Sequence, residues 1–308
     1  MHGTCVIYNP AAGRGRAEAM LRELTETLGA EAELRPSREP GHLVELGRRA
    51  CEDGFARIVA AGGDGTVHEV ANGVLRSGKR DVAFSVWPIG SANDFAYSIG
   101  MIEWWKRRAE RLATEVLEID VGRVTVPGRE QFMIGNAGVG FNGMVTVEAR
   151  KTRWLRGMPL YAWAFLKAMV RNFATPMMTI AFDDREVTTP TLALSILNAQ
   201  REGNFPLRPA ARLDDGLFDY MHATRLSRGH LIRFLPAMAS GRLPENHRLV
   251  QLGRARRIAL RSEAPLCVHA DGEFVCVPGD ELFEAAIELL PRRLRVEVFA
   301  PGLYGKLK

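Results

Sequence analysis

The stretch that decides the fold is Ala61-Gly62-Gly63-Asp64-Gly65-Thr66-Val67-His68-Glu69. It follows an apolar run at residues 57–61, which predicts a buried strand, and it leads into a segment whose apolar residues recur with helical period. Glycines at such a turn let the backbone approach a bound group closely, and the start of the helix offers N–H groups to an anion. The stretch is therefore typical of a phosphate site. A second interpretation stays open, in which the glycines only make a tight turn and Asp64 only caps a helix.

Asp64 is an unusual residue for a phosphate site, because a carboxylate repels a phosphate. Its presence becomes favourable if a cation such as Mg²⁺ lies between the two groups, as in phosphoryl transfer. Two further turns, at residues 9–16 and 88–96, also follow predicted strands. The turns that follow parallel strands meet at the carboxyl edge of the sheet, where open α/β sheets bind ligands. We therefore expect the three turns to contribute to one site.

The arrangement of strand and helix patterns predicts two domains. In the first third of the chain they alternate, with strands at 4–8, 32–34, 58–61 and 82–89 and helices at 17–28 and 43–53, which favours a parallel sheet covered by helices. After about residue 118, short predicted strands, such as the one at residues 131–136, are separated by turn residues and favour an antiparallel sandwich, interrupted by a helix at about 160–173. We predict a doubly wound α/β domain at residues 1–120 and a β-sandwich domain at 121–294, with a tail of about 295–308 able to pack back on the first.

Composition limits the classes of partner. Lysine and arginine number 41 against 36 acidic residues, a mild excess that suits a nucleotide or an anionic membrane surface and does not point to nucleic acid. The four cysteines lack the spacing of a zinc site or a disulfide framework, so free thiols in a reducing cytoplasm are expected. The longest apolar stretch, at residues 158–170, is too short to span a bilayer. We therefore predict a cytoplasmic protein.

Two nucleotide-binding motifs can be set aside. The first turn lacks the Lys-Ser/Thr ending of a P-loop. Gly138-Val139-Gly140-Phe141-Asn142-Gly143 matches the glycine pattern of dinucleotide-binding folds, which need an acidic residue about 20 positions further on for the ribose. No Asp or Glu occurs between Glu148 and Asp183, so we do not predict a dinucleotide site there.

An ordered set of motifs extends over essentially the whole chain. Its members are Asn9-Pro10 with Gly13, Gly62-Gly63-Asp64-Gly65-Thr66 with Glu69 and Asn72-Gly73, Gly90-Ser91-Ala92-Asn93-Asp94-Phe95-Ala96, Asn136-Ala137-Gly138-Val139-Gly140-Phe141, Leu213-Asp214-Asp215-Gly216-Leu217 and Asp271-Gly272-Glu273. Together they resemble the catalytic domain of the diacylglycerol-kinase-like lipid kinases, which also covers sphingosine and ceramide kinases, and most closely its bacterial soluble branch. The Gly-Gly-Asp-Gly part alone is shared with NAD kinases and resembles phosphofructokinases.

The resemblance implies an ATP-dependent transferase of phospholipid metabolism, with a phosphofructokinase- or NAD-kinase-like nucleotide domain and a β-sandwich on the lipid side of the cleft. It implies that Glu273 accepts a proton, a role that other branches give to the residue corresponding to Asp64. It also implies a structural Mg²⁺ held by the Asp215 carboxylate and the backbone oxygens of Arg212 and Leu217. The nucleotide contacts that it implies fall on Asn9, Ser37, Gly62, Gly63, Asp64, Gly65, Thr66, Val67, His68 and Ser91.

Several alternatives remain open at this stage. The acceptor is a diacylglycerol-like, phosphatidylglycerol-like or sphingoid alcohol, and residues 201–207 depart from the Gly-Gly-Gly run that is frequent in the family. If Glu273 does not accept a proton, the alternative interpretation is that it is a solvated turn residue. Basic and aromatic residues at 150–165 suit peripheral contact with an anionic membrane, or else a helix packed on the sandwich. An NAD-kinase-like enzyme with a soluble substrate, a non-catalytic nucleotide- or lipid-binding relative, and a homodimer also stay open.

Overall fold

The computed structural model describes residues 2–11, 23, 24, 26, 32–110, 112–152, 154, 155 and 157–303. They form two compact units, one of Met1–Val121 with Pro291–Lys308 and one of Gly122–Leu290. Gly13 of the first predicted turn and most of the helix predicted at 17–28 lie outside the described residues.

The strands of the described residues are numbered in chain order. They are β1 His2–Tyr8, β2 Glu33–Pro36, β3 Phe55–Gly62, β4 Ala83–Pro88, β5 Glu115–Val126, β6 Arg129–Met133, β7 Asn136–Gly140, β8 Met177–Phe182, β9 Arg185–Pro190, β10 Ala193–Leu197, β11 Phe218–Ala223, β12 Asn246–His247, β13 Val250–Ala255, β14 Arg257–Ser262, β15 Val268–Ala270, β16 Glu273–Cys276 and β17 Glu284–Val298. The α-helices are α1 His42–Glu52, α2 Asp64–Arg76, α3 Asp94–Ser98, α4 Met101–Lys106, α5 Phe141–Lys151, α6 Gly157–Arg171 and α7 Arg228–Ser240.

The first unit contains a parallel sheet in the order β2-β1-β3-β4, followed by the last part of β17, in which Arg295 pairs with Ala83. β1, β3 and β4 are almost continuously apolar, because a parallel strand in such a sheet is covered on both faces. Val6, Val59, Ala61 and Trp87 of these strands form a buried cluster with Ile89, which follows β4, and with Leu24. The α/β domain predicted from the alternating pattern is confirmed.

The second unit is a sandwich of antiparallel strands. One sheet has the order β12-β13-β11-β10-β7-β15-β16, and in the other β14 lies between β8 and the first part of β17, with β9 beyond β8. Apolar residues of both sheets, such as Val139 and Ile196 of the first and Ile180 and Ile258 of the second, form one buried core. The predicted β-sandwich is therefore confirmed.

Some local predictions were wrong. The single strand predicted at residues 131–136 is two strands, β6 and β7, because a turn at Ile134 and Gly135 interrupts it. We did not predict α7, the long strand β17, or that α5 begins as early as Phe141. Among the helices that the structure describes, none is long and apolar enough to cross a bilayer.

Candidate functional site

The ends of four parallel strands bring the predicted nucleotide residues to one edge of the first unit's sheet. Tyr8 at the end of β1 pairs with Pro36 of β2 and with Ala61 of β3, and Gly62 pairs with Pro88 of β4. The residues that follow these strand ends therefore share the carboxyl edge; they are Asn9, Ser37, Gly63 and Ser91. A hydrogen bond from the Ser37 N–H to the Tyr8 carbonyl, 2.8 Å long, fixes the second of these connections.

Two of the glycine turns pack backbone against backbone. A Cβ atom added to Gly90 would lie 2.5 Å from the Gly63 Cα atom, and one added to Gly63 would lie 3.2 Å from the Gly90 Cα atom. Asn93 adopts a left-handed conformation with φ of 51° and closes the second turn through hydrogen bonds with Gly90 of 2.8 and 3.0 Å. This close approach requires glycine at residue 90, since a contact of 2.5 Å is too short for any side chain.

Asp64 joins the same two turns through its carboxylate. Its Oδ2 accepts the N–H of Asn93 and its Oδ1 accepts the N–H of Asp94, each at 2.8 Å. The carboxylate thus binds the start of α3, a contact that was not among the roles considered for Asp64 from the sequence. Each carboxylate oxygen has more than one lone pair, so a Mg²⁺ ion bound directly or through water fits the remaining acceptor capacity.

The predicted contacts differ in accessibility. Gly63, Asp64 and Gly65 are partly exposed at the start of α2, whose N-cap residue Gly63 has no side chain to occupy the helix end. Val67 and His68, in contrast, are only 4% exposed. A ligand at this edge therefore meets main-chain groups of the glycine turn rather than these two side chains, and the same main-chain N–H groups and helix dipole favour an anion.

In the second unit, the turn that carries Glu273 is held by a neighbouring carboxylate. Asp271, with φ of 51°, accepts backbone N–H groups from Ile134, Gly135 and Asn136 at 2.8 to 3.0 Å. Gly272 follows with φ of 85°, a conformation that favours glycine, and Glu273 begins β16. The anchoring role of Asp271 was not predicted, because its partners lie more than a hundred residues earlier in the chain.

Glu273 forms an ion pair with Arg150, a residue that sequence reasoning considered only for membrane contact or for a packed helix. Arg150 at the end of α5 donates to Glu273 Oε2 at 2.6 Å and to the Gly272 carbonyl at 3.0 Å, and its guanidinium lies 4.7 Å from the centre of the Phe274 ring. The Glu273 side chain remains 33% exposed. The pair therefore presents a carboxylate and a cation together at a surface that a ligand can reach.

An open groove of about 680 Å³ lies beside this ion pair. Its lining is mainly apolar, with two basic residues, and comprises Met144, Val147, Arg150, Lys151, Phe274, Val277 and Pro278. A groove of this composition can hold a hydrocarbon chain with a polar or anionic group at one end.

The loop of the predicted structural magnesium site is surrounded by arginines. Asp215 Oδ1 accepts the Leu217 N–H at 3.3 Å, its Oδ2 contacts the Arg254 guanidinium, and Arg212 pairs with Asp214. One carboxylate and two backbone carbonyls are oxygen ligands of the type that Mg²⁺ accepts, so the donor set fits. A metal here would share the Asp215 carboxylate with Arg254 or displace it. Across the described part of the chain, no group of three or more His, Cys, Asp or Glu side chains could hold a metal ion.

Comparison with known proteins relates both units to the family that the sequence motifs resemble. The model of the diacylglycerol kinase catalytic domain matches residues 3–124, and that of the YegS C-terminal NAD kinase beta sandwich-like domain matches residues 135–298. The "Probable lipid kinase YegS-like" protein of Chromohalobacter salexigens is 31% identical over 269 residues, which is 83% of this chain and 83% of that protein.

Two further relatives cover almost the full length. The diacylglycerol kinase of Bacillus subtilis is 26% identical over 285 residues, which is 89% of this chain and 91% of that protein. The crystal structure of a diacylglycerol kinase from Bacillus anthracis superimposes with a TM-score of 0.70 over 97% of this chain and 98% of that chain, at 19% identity, which establishes the shared fold. The chain therefore belongs to the diacylglycerol-kinase-like family of bacterial lipid kinases.

Proposed function

We propose that this protein transfers the γ-phosphoryl group of ATP to the hydroxyl group of a lipid alcohol. The observation that carries the proposal is the convergence of Asn9, Ser37, the 62–65 turn and Ser91 at one sheet edge, in a chain of the lipid kinase family. Kinases that work by positioning the phosphates need such a cradle of main-chain donors. We assign ATP binding to the first unit, with the phosphates at the start of α2.

Asp64 is the residue that we assign to the magnesium ion of the ATP complex, directly or through a water molecule. When bound, Mg²⁺ neutralises charge that develops on the phosphate oxygens during transfer. The hydrogen bonds of Asp64 to Asn93 and Asp94 hold its carboxylate in a fixed orientation, so that no reorganisation is needed when the nucleotide binds.

Glu273 is the residue that we assign as the proton acceptor for the lipid hydroxyl. An alcohol is a poor nucleophile at neutral pH, and a carboxylate that accepts its proton accelerates transfer. Two observations favour Glu273 over Asp64 for this role. Asp64 accepts two backbone N–H groups and is already assigned to Mg²⁺, whereas in Glu273 only Oε2 is engaged, by Arg150, and Oε1 has no hydrogen-bond partner among the described residues.

The groove beside Glu273 is our candidate for the hydrocarbon part of the substrate, which assigns the second unit to the lipid. Its apolar lining suits an acyl or sphingoid chain, and Arg150 and Lys151 at its side suit a polar headgroup. Diacylglycerol-like, phosphatidylglycerol-like and sphingoid alcohols all meet these requirements. The proposal includes a structural Mg²⁺ at Arg212, Asp215 and Leu217, which would order the loop before β11 and take no part in the reaction.

Peripheral contact with an anionic membrane is part of the proposal, because a lipid substrate resides in a bilayer. Four large apolar side chains on or just before α6 are exposed: Trp154 by 71%, Trp163 by 39%, Leu166 by 53% and Val170 by 76%. Basic side chains of Lys151 and Lys167 lie on the same stretch of chain. Apolar and aromatic residues interleaved with cations are typical of helices that bind at the interface of anionic bilayers.

A panel of lipid alcohols in mixed micelles tests the proposed function. The protein is incubated with the lipids, NAD, Mg²⁺ and ATP labelled in its γ-phosphate, and the label is followed into both the organic extract and the aqueous phase. We expect label in at least one lipid phosphate, formed about 10²–10⁴-fold more slowly by the Glu273→Gln variant. Label transferred only to water or to NAD would contradict a lipid kinase and favour an ATPase or an NAD-kinase-like enzyme. No transfer at all, with ATP still bound, would indicate a non-catalytic relative.

A further inference from the structure

A buried polar cluster lies behind the Glu273 turn, on one face of the seven-stranded sheet. Ser195 of β10 and His269 of β15 are the cross-strand neighbours of Gly138 in β7, so the three residues form a row across the sheet. Adjacent residues such as Val139 point into the sandwich core, because side chains alternate along a strand. Glu202, from the loop after β10, reaches this polar face.

Gly138 makes room for the cluster. A Cβ atom at this position would lie 2.2 Å from His269 Nε2 and 2.6 Å from Asn142 Nδ2. Any side chain here would push both groups away. This steric requirement explains why residue 138 is a glycine. The glycine pattern at residues 138–143 therefore needs no bound dinucleotide to account for it.

Glu202 is the centre of the cluster. Its Oε1 accepts from Asn142 Nδ2 at 2.9 Å and lies 3.2 Å from His269 Nε2, while its Oε2 is buried without a hydrogen-bond partner among the described residues. The Glu202 side chain is only 12% exposed and that of His269 only 3%. A buried carboxylate oxygen without a partner is costly, so stability alone does not account for a glutamate at this position.

The partners of His269 determine which of its nitrogens carries the proton. The backbone N–H of Gly272 donates to His269 Nδ1 at 3.3 Å, so Nδ1 must be an acceptor. Glu202 can only accept when ionised, so Nε2 must be the donor. The carboxylate therefore selects the tautomer in which His269 can hold the Gly272 N–H, and Gly272 immediately precedes Glu273.

We propose that Glu202 and His269 are positioning residues for Glu273: Glu202 fixes the Nε2–H tautomer of His269, and His269 Nδ1 holds the backbone of the turn that aims the Glu273 carboxylate. Asp271 anchors the turn on its other side, through Ile134, Gly135 and Asn136. The proposal rests on the role of Glu273 as proton acceptor. A proton acceptor displaced by about 1 Å loses about 10²-fold in rate, which makes a second anchor valuable.

Two substitutions of His269 separate this role from general packing. In His269→Asn the amide oxygen occupies roughly the place of Nδ1 and can still accept the Gly272 N–H. In His269→Gln the amide occupies roughly the place of Nε2, so contact with Glu202 is kept and the acceptor for Gly272 is lost. We expect kcat to fall by about tenfold to a hundredfold in His269→Gln and by much less in His269→Asn, with KM for ATP unchanged in both. Equal kcat values in the two variants, or losses that follow their melting temperatures, would overturn the proposal.

A second measurement is independent of turnover. The nitrogen chemical shifts of His269, in protein with isotope-labelled histidine, report the tautomer directly. The wild type should show Nε2–H, and Glu202→Ala should lose this preference. A wild-type Nδ1–H tautomer would refute the inference even if the enzyme is an active lipid kinase. If the tautomer is as expected but Glu273→Gln is fully active, the assignment of Glu273 fails and with it the purpose given to this cluster.

Discussion

Asp64→Asn separates the two roles of the Asp64 carboxylate. In the structure Oδ1 and Oδ2 each accept one backbone N–H, from Asp94 and Asn93, at 2.8 Å. Asparagine keeps one oxygen and places an NH₂ group where the other stood, so one N–H of the turn loses its acceptor and faces a donor. A hydrogen bond to a charged group contributes about 1.5–3 kcal/mol, and we therefore expect the free energy of unfolding to fall by about 2–3 kcal/mol.

Turnover should fall much further than this loss of stability explains. A protein with a free energy of unfolding of about 5–15 kcal/mol remains almost fully folded after such a change. If the carboxylate only capped α3, the folded enzyme would keep most of its kcat. If it also holds Mg²⁺ at the phosphates, several kcal/mol of transition-state stabilisation disappear, and kcat should fall by about a hundredfold or more.

Asn93→Gly is the matched control. Glycine accepts the φ of 51° at this position, the backbone N–H to Asp64 is kept, and only the side-chain hydrogen bonds to Gly90 are lost. Urea unfolding and lipid kinase turnover at saturating ATP and Mg²⁺ are measured for both variants. Near wild-type turnover in Asp64→Asn, or an equal loss in Asn93→Gly, would refute a role of the carboxylate beyond the cap.

Three further outcomes are expected. Asp215→Ala should lower the melting temperature and remove its dependence on Mg²⁺, because the variant lacks the carboxylate that would hold the proposed structural metal. If a chelator leaves the melting temperature of both the wild type and the variant unchanged, no structural metal is bound there. Burial, with a smaller contribution from Arg185, lowers the pKa of His222 from 6.5 to about 4. As the pH falls, His222 therefore binds a proton in the unfolded chain at a higher pH than in the folded protein. The wild type should then lose about 3 kcal/mol more than His222→Gln as the pH falls from about 6.5 to about 4, as measured by urea unfolding, and parallel pH profiles would refute this. The double variant Trp154→Ala/Val170→Ala should bind anionic vesicles more weakly than the wild type in sedimentation, while Val116→Ala, another exposed apolar site, should not; equal binding by all three proteins would exclude α6 as the membrane contact.

Local sequence pattern predicted the secondary structure around the candidate nucleotide site. The apolar run of β3, the glycine turn and the helical period of α2 are adjacent in the chain, so strand, turn and helix could all be predicted from residues 55–76. The alternation of strands and helices predicted that the turns meet at the carboxyl edge of the sheet, because parallel strands place their ends together. Family resemblance, rather than pattern, led to Glu273.

Contacts between distant segments could not be predicted in this way. Asp64 binds a turn 29 residues later, and Arg150 pairs with Glu273 across 123 residues. Such pairs depend on strand order and on which faces meet, and neither is encoded in the period of a short segment. The split between β6 and β7 has the same origin, since the carboxylate that holds the Ile134 turn comes from Asp271.

The kcat of Glu273→Gln, measured beside its affinity for ATP, tests the central claim most directly. Glutamine preserves the size of the side chain and can still accept a hydrogen bond from Arg150, but it is too weak a base to take the proton of a lipid hydroxyl. The account predicts that kcat falls by about 10²–10⁴-fold, the usual contribution of a general base. It also predicts an unchanged Kd for ATP, because the nucleotide turns belong to the other unit. Retention of most of the kcat by Glu273→Gln, with Asp64→Asn inactive, would contradict the account and assign the proton acceptor to Asp64.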